Sequence, residues 1–315
     1  METKLKPDWA GEDWLSQFVN VLINTKPIYA LMRHQARQVM ITTAEKKGIP
    51  WRQSCQAISA TGVESTLDNI TNPEVVYPDY YRVPFHAYPE GNLCWQAALE
   101  APSATYAMAL RVWKGEDLTW EAAHNRLRNN FYQVLSQYTP NPVTRLLDLG
   151  CSVGISTRTL HHHYQSLQDQ PIETIGLDLS PYMLAVAKTL DTDHSISQWC
   201  HSLAEKTPFA DNSFDLITIQ YTIHELPDEA TRAIFTEARR ILKPGGCLGI
   251  VDNNPRSPVI QNLPPALFVL MKSTEPWTDE YYTFDVEANL EAVGFHHETT
   301  VSVDPRHRAI IAMKN

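Results

Sequence analysis

The stretch 145-RLLDLGCSVGIS-156 decides the fold. A short apolar run, Leu146 to Leu149, reaches Gly150, and a second glycine at Gly154 opens the next segment. That pattern is a strand running into a tight turn and then into a helix, where free N–H groups let a ligand approach the backbone closely. A dinucleotide loop wants G-x-G-x-x-G, with its middle glycine clearing room for a pyrophosphate. Here Ser152 stands between the two glycines, and Asp148 would set a carboxylate close to that diphosphate. The same carboxylate suits a cationic ligand, so the local charge favours the sulfonium nucleoside S-adenosylmethionine (SAM) over NAD(P).

Outward from this stretch the chain alternates. Apolar runs at Thr174 to Leu177, Leu216 to Ile219 and Cys247 to Val251 are separated by helical patterns, the signature of βαβ units in a parallel sheet. Ser180 followed by Pro181 is an N-cap with proline at the first helical position. The helical pattern through Ala230, Ile234, Ala238, Ile241 and Leu242 should stop at Lys243-Pro244-Gly245-Gly246. Near the C-terminus two β runs join at Asp304-Pro305. Asp178 closes the second strand at the spacing where such folds place an acid on a ribose.

With these segments in order, "LLDLGCSVG", "IGLDLSPYML", "EKTPFADNSFDLITIQYTIHEL" and "EARRILKPGGCLGIVD", the chain from about Thr144 onward resembles the class I SAM-dependent methyltransferases. The resemblance implies a Rossmann-like seven-stranded, mostly parallel sheet with an antiparallel last hairpin, and SAM as cofactor. It places Asp148, Gly150 and Gly154 at the methionine end of SAM, Asp178 on the ribose, and Leu179 and Met183 by the adenine. Ser152 departs from a frequent glycine, and Leu203 stands where the family often has an adenine-binding Asp, leaving the N–H of Ala204 for that ring. A catalytically silent SAM-binding module stays open as an alternative, as does, further off, an NAD(P)-dependent oxidoreductase.

In an open α/β sheet the acceptor lies beyond the carboxyl ends of the strands. This makes Gln220, Tyr221, His224 and Glu225 candidates after the fourth strand, and Asp252, Asn253 and Arg256 after the fifth. Gln220 is assigned to the cofactor side. His224, Tyr221 and Glu225 are the catalytic candidates, with His224 suited by its ordinary pKa to act as base.

The first 140 residues read differently. Helical periodicity runs from Trp14 to about Lys47, with Pro27 separating two helices, and again over Leu93 to Lys114 and Trp120 to Tyr138. Between Leu67 and Asn92, Pro73, Pro78, Pro84 and Pro89 enforce an extended connection rich in aromatics. The expected layout is a helical substrate-recognition cap over 1–140 and a SAM-binding domain over 141–315. Tyr80, Tyr81, Phe85 and His86 are the cap's candidates for acceptor contact, with Asn253 and Arg256 opposite them.

Composition narrows the partners. A net charge of −10 argues against a general nucleic-acid clamp, which needs Lys and Arg to neutralise phosphates. With 43% apolar and 20% charged residues the chain is globular in character, and no apolar run spans a bilayer. The N-terminus lacks an apolar signal segment, which points to a cytoplasmic protein. Five scattered cysteines without a CxxC pair suit reduced thiols, and no Cys/His cluster at ligand spacing suggests a metal. The expected partner is a small-molecule methyl acceptor, such as a phenol, quinone or natural-product carboxylate. Oligomeric state is not legible.

Overall fold

A computed structural model describes residues 14–86, 88–265, 269, 271 and 273–315, so the reading of the extreme N-terminus lies outside the described residues. Seven strands form one sheet: β1 (Arg145–Leu149), β2 (Glu173–Asp178), β3 (Gln198–His201), β4 (Phe214–Gln220), β5 (Leu242–Asn253), β6 (Phe295–Ser302) and β7 (His307–Lys314). Their order is β3-β2-β1-β4-β5-β7-β6. The first five pair in parallel, and β7 inserts antiparallel between β5 and β6. The order reverses between β1 and β4, so the crevice at that switch lies directly beyond the glycine turn.

Successive strand residues feed opposite faces of the sheet. Leu147, Leu149, Ile217, Ile219, Leu248 and Ile250 share one buried cluster with Ile234, Phe235, Ala238 and Ile241 of the helix Asp228–Ile241. Leu146, Leu216, Cys247 and Val251 belong to the other cluster. Strands covered on both faces have no polar side to show, hence the unbroken apolar runs in the sequence. The helix stops at Ile241 as Pro244 and the glycine pair suggest. Residues 242–246, however, extend β5 backward, with a register shift against Phe214 and Leu216. β3 carries no sequence signal, because Gln-Trp-Cys-His offers neither an apolar run nor alternation.

Ahead of the sheet come helices α1 (Trp14–Asn24), α2 (Lys26–Lys46), α3 (Trp51–Ser59), α4 (Leu67–Ile70), α5 (Trp95–Val112) and α6 (Trp120–Leu135). Ile58 of α3 and Ala97 and Ala98 of α5 pack with Val153 of the glycine turn and with Met183 and Val186 of the helix Pro181–Leu190. The last helix of this region is part of the sheet's own core: Phe131, Tyr132 and Leu135 of α6 pack with Leu146, Leu216, Cys247 and Val251. A Cβ at Gly249 would collide with Leu135. A cut near residue 140 would therefore strip one face of the sheet. Leu135→Ala is expected to lower stability by about 2–5 kcal/mol in urea unfolding, as for a core leucine. A cost below about 0.5 kcal/mol, the range of exposed sites, would return α6 to a separate cap.

No described helix is long and apolar enough to cross a membrane.

Candidate functional site

Beyond the carboxyl ends of β1, β2 and β4, and beneath α2 and α5, lies a cavity of about 860 Å³. The glycine turn forms one wall. Gly150 (φ +72°) is required there, because a Cβ would come within 2.6 Å of Thr222. Ser152 occupies the left-handed region at φ +49°, where a glycine is easier. Its N–H donates to Asp178 Oδ2 at 2.7 Å, and its hydroxyl lies 3.5 Å from Met183 Sδ. Five described non-glycine residues have positive φ, and three of them, His86, Ser152 and Tyr221, line this cavity. Strain of this kind is held only where the surroundings over-determine it, most often at functional sites.

Two turn residues do something other than expected. Gly154 does not line the cavity; it starts the helix Ile155–Gln165, and a side chain there would strike the Trp199 ring. Asp148 is also absent from the cavity wall. Only 1% exposed, it accepts from Ser156 and Thr157 hydroxyls at 2.8 Å, from Thr218 at 2.7 Å and from Gln220 Nε2 at 3.3 Å. Burial raises its pKa while the hydroxyl donors oppose the rise. The carboxylate thus ties β1 to β4 and to the following helix, and its charge reaches the cavity one layer back, through Gln220. Gln220 itself lines the cavity, its Oε1 accepting from Arg128 at 3.0 Å.

The carboxylate that faces the cavity is Asp178. It accepts the N–H groups of Ser152 and Ser180 at 2.7 and 2.8 Å, one on each oxygen, leaving lone pairs for a ligand. Burial pushes its pKa up to about 6, against those backbone bonds. Leu179, Met183 and Ala204 continue this wall. Leu203 does not; it forms a bridge with Lys206, while Ser202 and Glu205 on either side face inward.

At the other end stands His224, on a single 3-10 turn after β4. Its Nδ1 lies 2.7 Å from Oδ1 of Asp252, a fully buried carboxylate at the end of β5. Burial disfavours the imidazolium, yet Asp252, helped by Glu225 and Glu275, outweighs it and lifts His224 to about 9. Glu225 is lifted to about 8, chiefly by burial. His86 arrives from the proline-rich connection, its Nε2 3.6 Å from Glu225 and 3.8 Å from Glu275. Burial drops its pKa to about 4. Donor atoms of His86, His224 and Glu225 all lie within 4.8 Å of one another. Sequence spacing could not reveal this grouping, since His86 comes from a segment far from the adjacent pair His224-Glu225.

Not every remaining candidate reaches the cavity. Tyr80, Tyr81 and Phe85 line it with His86, and the Tyr80 hydroxyl donates to Glu205. Tyr221 lines it too; its buried hydroxyl has no hydrogen-bond partner among the described residues, and burial raises that phenol's pKa far beyond reach. It can donate a hydrogen bond but not act as a base. Asn253 lines the cavity and accepts from Arg306 Nε at 2.9 Å. Arg256 does not: it is exposed, in the turn after β5. Arg306, from the β6–β7 turn, takes the place expected of it. Arg111, Arg128 and Glu275 are also wall residues, and no motif in the chain marks them. The three consecutive histidines diverge, His161 to Thr174, His162 to Asp193 and His163 to Ser136.

Residues 147–250 match the family described as a methyltransferase domain. The chain is 35% identical over 133 residues to a demethylmenaquinone methyltransferase of Lactiplantibacillus plantarum, covering 41% of this chain and 54% of that one. It is 29% identical over 167 residues to an uncharacterised methyltransferase of Synechocystis, covering 52% and 73%. The chain spans about half the length of most curated relatives it matches. Among solved structures, a SAM-dependent methyltransferase from Aquifex aeolicus aligns over 66% of this chain and 98% of its own, at 20% identity and a TM-score of 0.48.

Proposed function

We propose that this chain, whose residues 147–250 match the methyltransferase-domain family, is a class I SAM-dependent methyltransferase that methylates an oxygen or carbon of a small, partly apolar acceptor held beneath its N-terminal helices. The donor set fits SAM. Asp178 offers two carboxylate oxygens with spare lone pairs to a diol, Leu179, Met183 and Ala204 offer an apolar bed, and the left-handed turn brings backbone close. When bound, SAM supplies a methyl group on a sulfonium, an electrophile that needs only an aligned nucleophile in a dry site.

The chain's own residues supply the rest. Asp178 holds the ribose end, and Gln220, fixed between Asp148 and Arg128, orients the polar end. Tyr80, Tyr81 and Phe85 exclude water from above. His224 takes the acceptor's proton at Nε2, because Asp252 holds Nδ1–H and so fixes the tautomer. The observation that carries this reading is that His224–Asp252 pair at the carboxyl ends of β4 and β5, with His224 lining the same cavity as Asp178 and Asp252 buried behind it.

Incubation with methyl-labelled SAM and a small-molecule extract should give a labelled product that a His224→Gln protein does not form. No label above a heat-inactivated control would favour the silent SAM-binding module. Thermal stabilisation by NAD(P), with none by S-adenosylhomocysteine (SAH), would favour the oxidoreductase. The converging His86, His224 and Glu225 make one further control decisive: turnover should survive exhaustive EDTA treatment unchanged. Loss on chelation, restored by a divalent cation, would replace the proton-transfer role of His224 with metal binding.

A further inference from the structure

The cavity wall carries side chains of both charges. Its carboxylates, Asp178, Glu205 and Glu225, follow β2, β3 and β4, with Glu275 beside them. Its cations are Arg33 and Arg37 on α2, Arg111 on α5 and Arg128 on α6, with Arg306 on the β6–β7 turn beside the end of β5. All five are arginines and none is a lysine, in a chain of net charge −10. Arginine's planar fork matches carboxylate and phosphate oxygens in pairs, which a lysine point charge does not.

Three of the five are already engaged. Arg37 pairs with Glu100, Arg128 donates to Gln220, and Arg33 has a partner of its own. Arg111 is different: its guanidinium makes no hydrogen bond or ion pair with any described residue, though it lines the cavity. Arg306 commits Nε to Asn253 at 2.9 Å, and its two terminal nitrogens have no partner among the described residues. Burial disfavours the Arg111 cation, and the like charge of Arg306 adds to that cost, with Glu275 only partly offsetting it. A cavity-lining cation without a fixed partner, with a like charge near enough to disfavour it, is an arrangement that an anion between the two would relieve.

We propose that Arg111 and Arg306 form an anion subsite for the acceptor, so that the molecule methylated beside His224 carries a carboxylate or phosphate group. This rests on the methyltransferase reading and names the substrate class within it. The apolar stretch of Met108, Phe85 and Trp277 lines the same cavity and suits a ring or short chain between the two polar ends.

The test uses the full-length protein saturated with SAH and three matched ligand pairs in calorimetry: 4-hydroxybenzoate and 4-hydroxycinnamate, each against its methyl ester, and 4-hydroxybenzylphosphonate against its dimethyl ester, all three esters being uncharged. At least one acid should bind about tenfold or more tighter than its ester, the worth of a charged hydrogen bond. Arg111→Gln and Arg306→Gln should each remove most of that preference with SAH affinity unchanged, and Arg111→Lys should keep part of it. Equal or undetectable binding of acid and ester in all three pairs overturns the subsite, as does a preference that survives Arg111→Gln. Loss of SAH binding by the unaltered protein would instead sink the methyltransferase reading. Preference for the phosphonate over both carboxylates would assign the anion as phosphate.

Discussion

His224→Gln should lower turnover by about 10²- to 10⁴-fold, the range of a lost general base, while SAH affinity stays the same. Glutamine fills the imidazole's place but cannot take a proton at that position. The pH dependence supplies an independent readout. Burial works against the charged ring, but Asp252 overcomes it and holds His224 near 9, so in the free protein it is mostly charged at pH 7. Only the neutral ring accepts a proton, so kcat/KM should climb with pH until about 9. In Asp252→Asn the carboxylate that favours the charged ring is gone, and the same limb should move to lower pH, with a reduced plateau from the unfixed tautomer. A purely structural His224–Asp252 pair would leave the limb in place and turnover near normal.

Asp178→Ala should weaken SAM binding by about 100-fold or more, since two hydrogen bonds to a charged acceptor are each worth about 1.5–3 kcal/mol. Alanine also leaves the N–H groups of Ser152 and Ser180 without their acceptor, so the loop itself would loosen. Asp178→Asn separates the two effects, because its amide oxygen keeps one of those bonds and the charge is lost. In the unaltered protein, Asp178 titrates near 6, raised by burial. Above that pH it is a carboxylate and affinity is full; below it the protonated form accepts weakly, and affinity falls as pH drops through about 6. That acid limb should vanish in Asp178→Asn. An Asp178→Ala protein that unfolds cooperatively and binds SAM normally would discard the assignment.

The first strand, the left-handed turn at Gly150 and the Ser180–Pro181 cap are local features: backbone sterics and one side chain's reach specify each, so spacing along the chain exposes them. Asp178 is legible for the same reason, lying at a strand's end where topology leaves it no face to hide in. Asp148 is not. It sits one residue further from its strand's end, and only the hydroxyls of Ser156, Thr157 and Thr218 turn it away from the ligand. Gly154 and Gly249 are likewise glycines for packing, against Trp199 and Leu135, and nothing near them in sequence announces those partners.

The sequence alone determined that a parallel sheet carries a glycine turn and an acid at its rim, because periodicity and turn chemistry are short-range properties. The tertiary structure decided which carboxylate points into the cavity, that α6 packs into the sheet's core, and that Arg306 rather than Arg256 lines the cavity. Each of those depends on what lies across from a side chain. The insertion of β7 between β5 and β6 brings Arg306 to the rim beside Asn253, a placement set by strand order rather than by any motif.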